Sequence, residues 1–219
     1  MEEQKKVNPK SNFFSAPVAI IIAGALISGA VVFTNTKNNA PEKTEQPKIE
    51  AGINPMRGEK SAKVEIVTFS DYQCPFCGRG ESVVAEIAKA YPKDVKIAFR
   101  NFPLEMHKYA EKAAEASECA MEQQKFWEYH DLLFAKQEEW SGSKDANVEF
   151  KKYAKSLKLD SAKFDSCLDT NKYSEEIKKD LADGETAGVN GTPAFFVNGE
   201  ILIGADGTKL KQMVENALK

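Results

Sequence analysis

Two cysteines three positions apart, Cys74 and Cys77, constrain the fold of this chain more than any other feature of the sequence. They follow a β-like apolar run at residues 64–70 and open a helix-like segment that continues to about residue 90. The amino end of a helix presents unpaired N–H groups and a positive dipole, which favour a thiolate on Cys74. Such a pair can close a small disulfide ring and pass electrons by thiol–disulfide exchange.

A lone CxxC is also consistent with half of a zinc site, with a structural disulfide or with chance. A zinc finger needs a second CxxC or a paired HxxxH, and the chain has neither, since Cys119, Cys167, His107 and His130 are isolated. A copper or zinc chaperone would need further soft ligands, and the chain has no methionine-rich run. The strand before the pair and the helix after it favour the redox interpretation, and a thiol metal-binding module is the less favoured alternative. We expect structural roles for both histidines.

A second notable segment is Thr192-Pro193, which follows a glycine-rich turn and precedes a β-like run at residues 194–197. Proline lacks an N–H group, so it belongs in a turn or at the first residue of a strand. From the residues alone this is an ordinary strand-starting proline, although an X-Pro bond after such a turn can be cis.

Residues 70–77, SDYQCPFC, and residues 188–199, GVNGTPAFFVNG, are similar to the two signature segments of DsbA-like thiol:disulfide oxidoreductases. Shorter similar segments lie between them at residues 102–104, His107, 119–120, 125–134 and 167–168. The resemblance covers about residues 52–219. It implies an α/β protein with a thioredoxin-like fold at residues 61–219, interrupted by a helical insertion at about residues 106–187.

The resemblance also implies the site. The family's active site is its CxxC, so Cys74 and Cys77 are the expected catalytic residues. A cis-proline loop packs against that site in the family, which implies a cis bond before Pro193. The residues that we expect to bind the substrate peptide are Thr192, Pro193, Pro75 and Phe76. We expect no metal and no cofactor.

The chain departs from the family at one position near the cysteines. Many relatives carry an acidic residue six positions before the first cysteine, where this chain has Thr68. A hydroxyl cannot serve as a general base at neutral pH, and Glu65 is one residue out of phase with Thr68 by strand alternation. We therefore expect proton transfer to and from Cys77 to run through water or another group. The dipeptide between the cysteines also lacks the histidine of some strong oxidants, which leaves the strength of oxidation open.

Cys119 and Cys167 fall in the expected helical insertion. Two buried, reduced cysteines are the interpretation for a cytoplasmic protein, but an even cysteine count in an exported domain favours pairing. We predict a structural disulfide that closes a loop of about 49 residues and stabilises the fold by roughly 4 kcal/mol. The alternative is a pair that exchanges electrons with Cys74 and Cys77.

The amino-terminal part predicts the compartment. Residues 13–33 form an uncharged run, and at about 1.5 Å per residue a helix of this length spans the bilayer core of about 30 Å. A signal-peptide core is only about 7–15 residues long, so we expect a transmembrane anchor, with a cleaved signal peptide as the alternative. Lysines before the run slightly favour a cytoplasmic location for residues 1–12. The polar residues 34–60 are predicted to be a flexible linker.

The predicted function is that of a membrane-anchored, extracytoplasmic thiol:disulfide oxidoreductase that introduces disulfides into exported proteins. A reductase or isomerase of the same fold is the alternative. The expected partners are reduced exported proteins and a membrane protein that reoxidises or reduces the pair, and the expected state is a monomer. The net charge of −3 and the lack of a basic stripe in the soluble part argue against a nucleic-acid partner.

Overall fold

The computed structural model describes Ile49 and residues 55–219. The predicted anchor at residues 13–33, the segment before it and most of the predicted linker lie outside the described residues. In the part of the chain that is described, no helix combines the length and the apolar character needed to cross a membrane.

The strands and helices follow the order expected of a thioredoxin-like domain with a helical insertion. The strands are β1 (Met56–Arg57), β2 (Val64–Ser70), β3 (Val95–Asn101), β4 (Ala194–Val197) and β5 (Glu200–Ile203). The helices are α1 (Pro75–Ala90), α2 (Ala110–Met121), α3 (Phe126–Ala135), α4 (Gln137–Ser141), α5 (Ala146–Ser156), α6 (Ser161–Asp169), α7 (Ser174–Thr186) and α8 (Gly207–Leu218). The strand order in the sheet is β1-β3-β2-β4-β5.

The unit β2-α1-β3 places the redox pair. Strands β2 and β3 are parallel, with Ile66 opposite Ile97, while β4 pairs with β2 antiparallel. Every side chain of β2 except Glu65 is buried, because both faces of this central strand are covered. One face packs on α1 and α8 through residues such as Val84 and Leu210. The carboxyl end of β2 therefore leads directly from the middle of the core into the amino end of α1.

Helices α2 to α7 form the helical insertion between β3 and β4, as the sequence predicts. They share a core of buried aromatic side chains, namely Phe126, Tyr129, Trp140, Phe150, Tyr153 and Phe164. Helix α7 begins at Ser174, three residues after Asn171. Asn171 has a φ of 51°, a left-handed conformation that does not continue a helix.

The insertion is tied to the sheet by buried polar side chains at the end of β3. The guanidinium group of Arg100 pairs with Asp180 and Asp183 of α7. The neighbouring Asn101 donates its backbone N–H to Asp180 Oδ2 over 2.9 Å and its side-chain amide to Glu118 Oε1 over 2.8 Å. Because these charges are paired and hydrogen-bonded, their burial does not oppose folding as isolated charges would.

The amino-terminal boundary of the domain differs from the prediction. Residues 55–60 were assigned to the flexible linker, but Met56 and Arg57 form an edge strand that pairs antiparallel with β3. Arg57 also donates to Asp131 over 2.7 Å and lies 4.5 Å from the Trp127 ring centroid. A two-residue strand carries no readable alternation, so its position depends on these long-range contacts.

Candidate active site

Cys74 and Cys77 lie at the amino end of α1. Cys74 is the residue that caps the helix, and Pro75 occupies the first helical position, where its missing N–H group costs nothing. The backbone N–H groups of Cys77 and Gly78 donate to the Cys74 carbonyl over 3.0 and 3.3 Å. Cys74 is 4% exposed and Cys77 is fully buried, so only the first cysteine reaches the surface.

The two sulfurs are reduced in this structure and have opposite acidities. The Cys77 thiol and the N–H groups of Cys77 and Phe76 donate towards Cys74 Sγ and lower the pKa of Cys74 to about 6, although burial opposes them. Burial and its role as donor to Cys74 raise the pKa of Cys77. The pair therefore combines one thiolate near neutral pH with one thiol that stays protonated.

The peptide bond between Thr192 and Pro193 is cis. The Thr192 carbonyl lies 3.7 Å from Cys74 Sγ, so this loop forms the wall of the site opposite α1. Gly80 of α1 permits this approach, because a Cβ atom there would lie 2.8 Å from Phe195 and 3.1 Å from Pro193. The structure thus brings the proline loop to the cysteines, as the sequence resemblance implies.

The other two residues expected to bind substrate lie at the rim. Pro75 is exposed, and Phe76 has 54% of its surface exposed beside Cys74. The guanidinium group of Arg79 lies 4.4 Å from the Phe76 ring centroid. A large apolar side chain that is held at the surface next to the reactive sulfur is suited to contact an extended peptide.

Two residues that the sequence analysis missed hold the loop before Cys74. The buried Asp71 carboxylate accepts hydrogen bonds from the Gln73 and Leu104 N–H groups over 2.7 and 2.8 Å, and its Oδ2 lies 2.7 Å from His107 Nδ1. Gln137 of α4 is the second residue that holds this loop. An Asp that bonds to the N–H group two residues later is a recognisable turn signal, which could have identified Asp71.

Gln137 belongs to the insertion and reaches the same loop. Its side-chain amide donates to the carbonyls of Tyr72 and Cys74 over 2.6 and 2.9 Å. The two partners lie 65 and 63 residues away along the chain, so no local pattern could have predicted the contact. The insertion therefore helps to fix the conformation of the redox loop.

Glu81 is a third residue that the sequence analysis missed. It lies on α1, four residues after Cys77, and its Oε1 accepts a hydrogen bond from the Thr68 hydroxyl over 2.9 Å. Desolvation raises the pKa of the Glu81 carboxyl, which is 7% exposed. Residues four apart share a helix face, so the Cys77–Glu81 spacing was the available signal.

The predicted structural disulfide is present. Cys119 of α2 and Cys167 of α6 are joined, with their Cα atoms 5.8 Å apart. Both lie in the insertion core, away from α1. As for metals, no cluster of three or more His, Cys, Asp or Glu side chains suited to holding an ion occurs among Ile49 and residues 55–219.

The CxxC at a helix start and the cis-proline loop beside it define a thioredoxin-like dithiol site. The model of a protein family described as thioredoxin matches residues 50–216, and this chain belongs to that family. Among solved structures, oxidised BdbD from Bacillus subtilis is similar with a TM-score of 0.69 and 29% identity, covering 79% of this chain and 96% of BdbD.

Other matches agree on the fold. A thioredoxin-like oxidoreductase from Silicibacter pomeroyi has a TM-score of 0.64 and 26% identity, covering 75% of this chain and 91% of that protein. The thiol-disulfide exchange protein α-DsbA2 of Wolbachia pipientis has a TM-score of 0.64 at 20% identity, covering 74% of this chain and 86% of that one. These matches confirm the resemblance to DsbA-like proteins that the sequence motifs indicate.

Curated relatives carry a different name. A Na(+)/H(+) antiporter, NhaA 3 of Salinispora tropica, is 39% identical over 145 residues, which are 66% of this chain and 21% of that protein. NhaA 1 of Salinispora arenicola is 37% identical over the same share of each chain. This chain therefore spans about a fifth of the length of these relatives, and their name describes much longer proteins.

Proposed function

We propose that this chain is a thiol:disulfide oxidoreductase that transfers the Cys74–Cys77 disulfide to reduced exported proteins. The opposite acidities of the two sulfurs at the amino end of α1 are the observation that carries the proposal. A low pKa makes Cys74 a good leaving group and stabilises the reduced form of the pair. A domain whose reduced form is stabilised acts as an oxidant.

The reaction has two steps, each of which forms one S–S bond and breaks another. A substrate thiolate attacks Cys74 Sγ, which is the more accessible sulfur, and the Cys74–Cys77 bond breaks. Cys77 leaves and takes up a proton. The second substrate thiolate then attacks the substrate sulfur of the mixed disulfide and releases Cys74 as a thiolate. The substrate loses two electrons and two protons, and this pair gains two electrons.

Substrate binding uses the rim around Cys74. The loop at Thr192 offers a backbone carbonyl to an extended peptide, and Pro193 presents no N–H group that would compete near the sulfur. Phe76 contributes an exposed apolar contact. These contacts are largely independent of side-chain identity in the substrate, which suits an enzyme that acts on many unfolded proteins.

We place the catalytic domain outside the cytoplasm, anchored by residues 13–33 and carried on a linker. The uncharged length of that run supports the anchor. The Cys119–Cys167 disulfide supports the compartment, since such bridges persist in oxidising surroundings. A membrane redox protein that reoxidises Cys74 and Cys77 completes the cycle, and the chain acts as a monomer.

Oxidative refolding tests this function. The purified full chain with the disulfide form of the pair should oxidise a reduced, unfolded model protein stoichiometrically, and catalytically when glutathione disulfide is supplied. Cys77→Ser should accumulate mixed disulfides at Cys74, and the Cys74→Ser/Cys77→Ser variant should trap none. An oxidised wild-type chain that leaves the model protein reduced would refute the proposal.

A further inference from the structure

Glu81 occupies the buried side of α1 at the position where a proton for Cys77 is needed. It lies one helical turn after Cys77, and residues at this spacing project from the same helix face. Its Oε1 is fixed by the Thr68 hydroxyl over 2.9 Å, and its Oε2 lies 3.7 Å from His130 Nε2. The carboxyl is therefore held in one position beside the inner cysteine.

Ser70 follows Thr68 by two residues on β2, so its side chain projects from the same strand face as the Thr68 hydroxyl that binds Glu81. Its hydroxyl interacts with both the Cys77 thiol and the Glu81 carboxyl and lowers the pKa of each. The Ser70 hydroxyl is buried, and no group among the described residues of the reduced form completes a hydrogen bond with it. A hydroxyl both donates and accepts, so this arrangement can pass a proton in either direction.

Glu81 also reaches solvent by a path that does not pass the active-site surface. It lines a cavity of about 270 Å³ between α1 and α3, together with Arg57, Trp127, His130 and Asp131. This volume accommodates several water molecules. The Nε2 atom of His130 is buried beside this cavity and has no hydrogen-bond partner among the described residues.

We propose that Glu81 is the positioning residue that exchanges the proton of Cys77 with solvent, through the Ser70 hydroxyl on one side and the cavity on the other. The inference rests on the exchange activity proposed above. When a substrate thiolate attacks Cys74, the departing Cys77 thiolate takes the Ser70 proton, and Ser70 takes the proton of the Glu81 carboxyl. The Glu81 carboxylate then takes up a proton from water in the cavity.

The reverse step uses the same groups. When Cys77 attacks a mixed disulfide at Cys74, its thiol proton passes to Ser70, and the Ser70 proton passes to the Glu81 carboxylate. Cys77 needs such a base because burial keeps its thiol protonated at neutral pH. The acid that the sequence analysis sought at the position of Thr68 is thus supplied by the neighbouring helix.

The acidity of Glu81 suits this function. Burial raises its pKa, His130 and the two strand hydroxyls lower it, and Asp131 raises it further. The net shift is upward, and a raised pKa makes a carboxyl a better proton acceptor than an ordinary glutamate. The titratable, charged and hydroxyl-bearing groups that face Glu81 or its cavity are Arg57, Thr68, Ser70, Tyr72, Ser82, His130 and Asp131. Cys77 lies one helical turn before Glu81 on α1.

The proposed proton relay through Ser70 and Glu81 acts when Cys77 attacks a mixed disulfide at Cys74. This step, called ring closure below because it closes the Cys74–Cys77 disulfide, can be measured directly. The full chain carrying glutathione in a mixed disulfide with Cys74 releases glutathione as Cys77 attacks, and rapid quenching gives the rate. Glu81→Gln retains an acceptor for Thr68 but cannot take a proton. We expect about a tenfold or greater loss of rate near pH 7. The loss should narrow as pH rises, because hydroxide then ionises Cys77 directly.

Two further variants separate a proton relay from a structural effect. Ser70→Ala keeps Glu81 but interrupts the path, so it should show the same pH-dependent loss, and it also serves if Glu81→Gln does not fold. Glu118→Gln removes another buried carboxyl, on α2, and should change ring closure less than twofold. Alkylation of Cys74 should keep its rate and pH midpoint in all three variants.

The pH dependence of ring closure in the variants decides between the relay and a structural effect. A loss of rate that is confined to lower pH in both Glu81→Gln and Ser70→Ala supports the relay. Equal rates in Glu81→Gln and the wild-type chain at every pH overturn it, and so does a loss that is the same at every pH. A wild-type chain that forms no mixed disulfide with glutathione would refute the exchange activity itself, and the relay with it.

Discussion

The two cysteine pairs of this chain lie in contrasting local settings. Cys74 and Cys77 lie three positions apart at the start of a helix, whereas Cys119 and Cys167 are separated by 48 positions and lie in two packed helices. The first pair is reduced and the second is joined.

The difference shows how position determines the chemistry of the same side chain. At the start of α1, N–H groups and a neighbouring thiol stabilise a thiolate on Cys74. In the insertion core, Cys119 and Cys167 pack among apolar side chains such as Phe164. A neutral S–S bond suits that environment better than a thiolate does. Helix-start cysteines are therefore suited to exchange, and core cysteines to cross-linking.

The largest expected effect comes from removing Cys74, the more accessible sulfur of the redox pair. Cys74→Ser should lower the rate of exchange by at least about 1,000-fold, because serine neither forms the mixed disulfide nor leaves as a thiolate. The Cys119→Ala/Cys167→Ala variant should stay within about twofold of the wild-type rate in the same refolding assay. A folded double variant without exchange activity would mean that the second pair takes part in electron transfer.

The Cys119–Cys167 pair, which should contribute little to exchange, should contribute strongly to the stability of the fold. Opening the Cys119–Cys167 loop should lower the free energy of unfolding by about 4 kcal/mol, from the loop entropy that the bridge removes. For a domain of this size that corresponds to a fall in melting temperature of roughly 10 °C. Calorimetry of the alanine double variant against the wild-type chain, with Cys74 and Cys77 reduced in both, measures it. An unchanged melting temperature would show that the bridge does not stabilise the fold.

The acidity of Cys74 gives a dependence on pH that the second pair lacks. Alkylation of the reduced chain should rise with pH and reach half its maximum at about pH 6. Because this pKa lies below the value of about 8.5 in an unfolded chain, ionisation stabilises the reduced fold. That stabilisation is complete above about pH 8.5 and disappears as pH falls through about 6, relative to Cys74→Ser. A midpoint above pH 8 would contradict the acidity assigned to this site.

Substitutions of two glutamines, Gln137 and Gln123, form a closely matched comparison with the smallest expected effect on the exchange rate. Gln137 binds the carbonyls of Tyr72 and Cys74, while Gln123 binds the backbone of Asp160 at the start of α6. Each alanine substitution should lower the free energy of unfolding by about 1–2 kcal/mol through lost hydrogen bonds. Only Gln137→Ala should also change the exchange rate, by a few-fold. Equal exchange rates in the two variants would show that the insertion does not fix the redox loop.

The sequence predicted the parts of the site that are local in the chain. The CxxC lies in one short segment whose flanking strand and helix are readable from their apolar pattern. The place of Thr192-Pro193 in the site was implied by the family resemblance, since its residues alone indicate an ordinary strand-starting proline. Asp71 and Glu81 are also close to Cys74 and Cys77, but their importance depends on burial, which periodicity alone did not reveal. Gln137 could not be predicted, because its partners lie in a distant segment.

The prediction of the fold has the same limit, because elements that depend on distant contacts cannot be read from a local pattern. The parallel unit β2-α1-β3 follows from two long apolar strands around an amphipathic helix, and the structure has it. Edge strand β1 was assigned to the linker because it has only two residues and is positioned by contacts with β3 and α3. The predicted anchor, outside the described residues, stays a prediction.

The reduction potential of the Cys74–Cys77 pair determines whether this chain donates or removes disulfides. Equilibration of the full chain in glutathione buffers, followed by separation of its reduced and oxidised forms, gives this value. We expect a potential at the oxidising end, about −120 to −180 mV, because the low pKa of Cys74 stabilises the reduced form of the pair. A value near about −270 mV would instead make the chain a reductase and contradict the proposed direction of transfer.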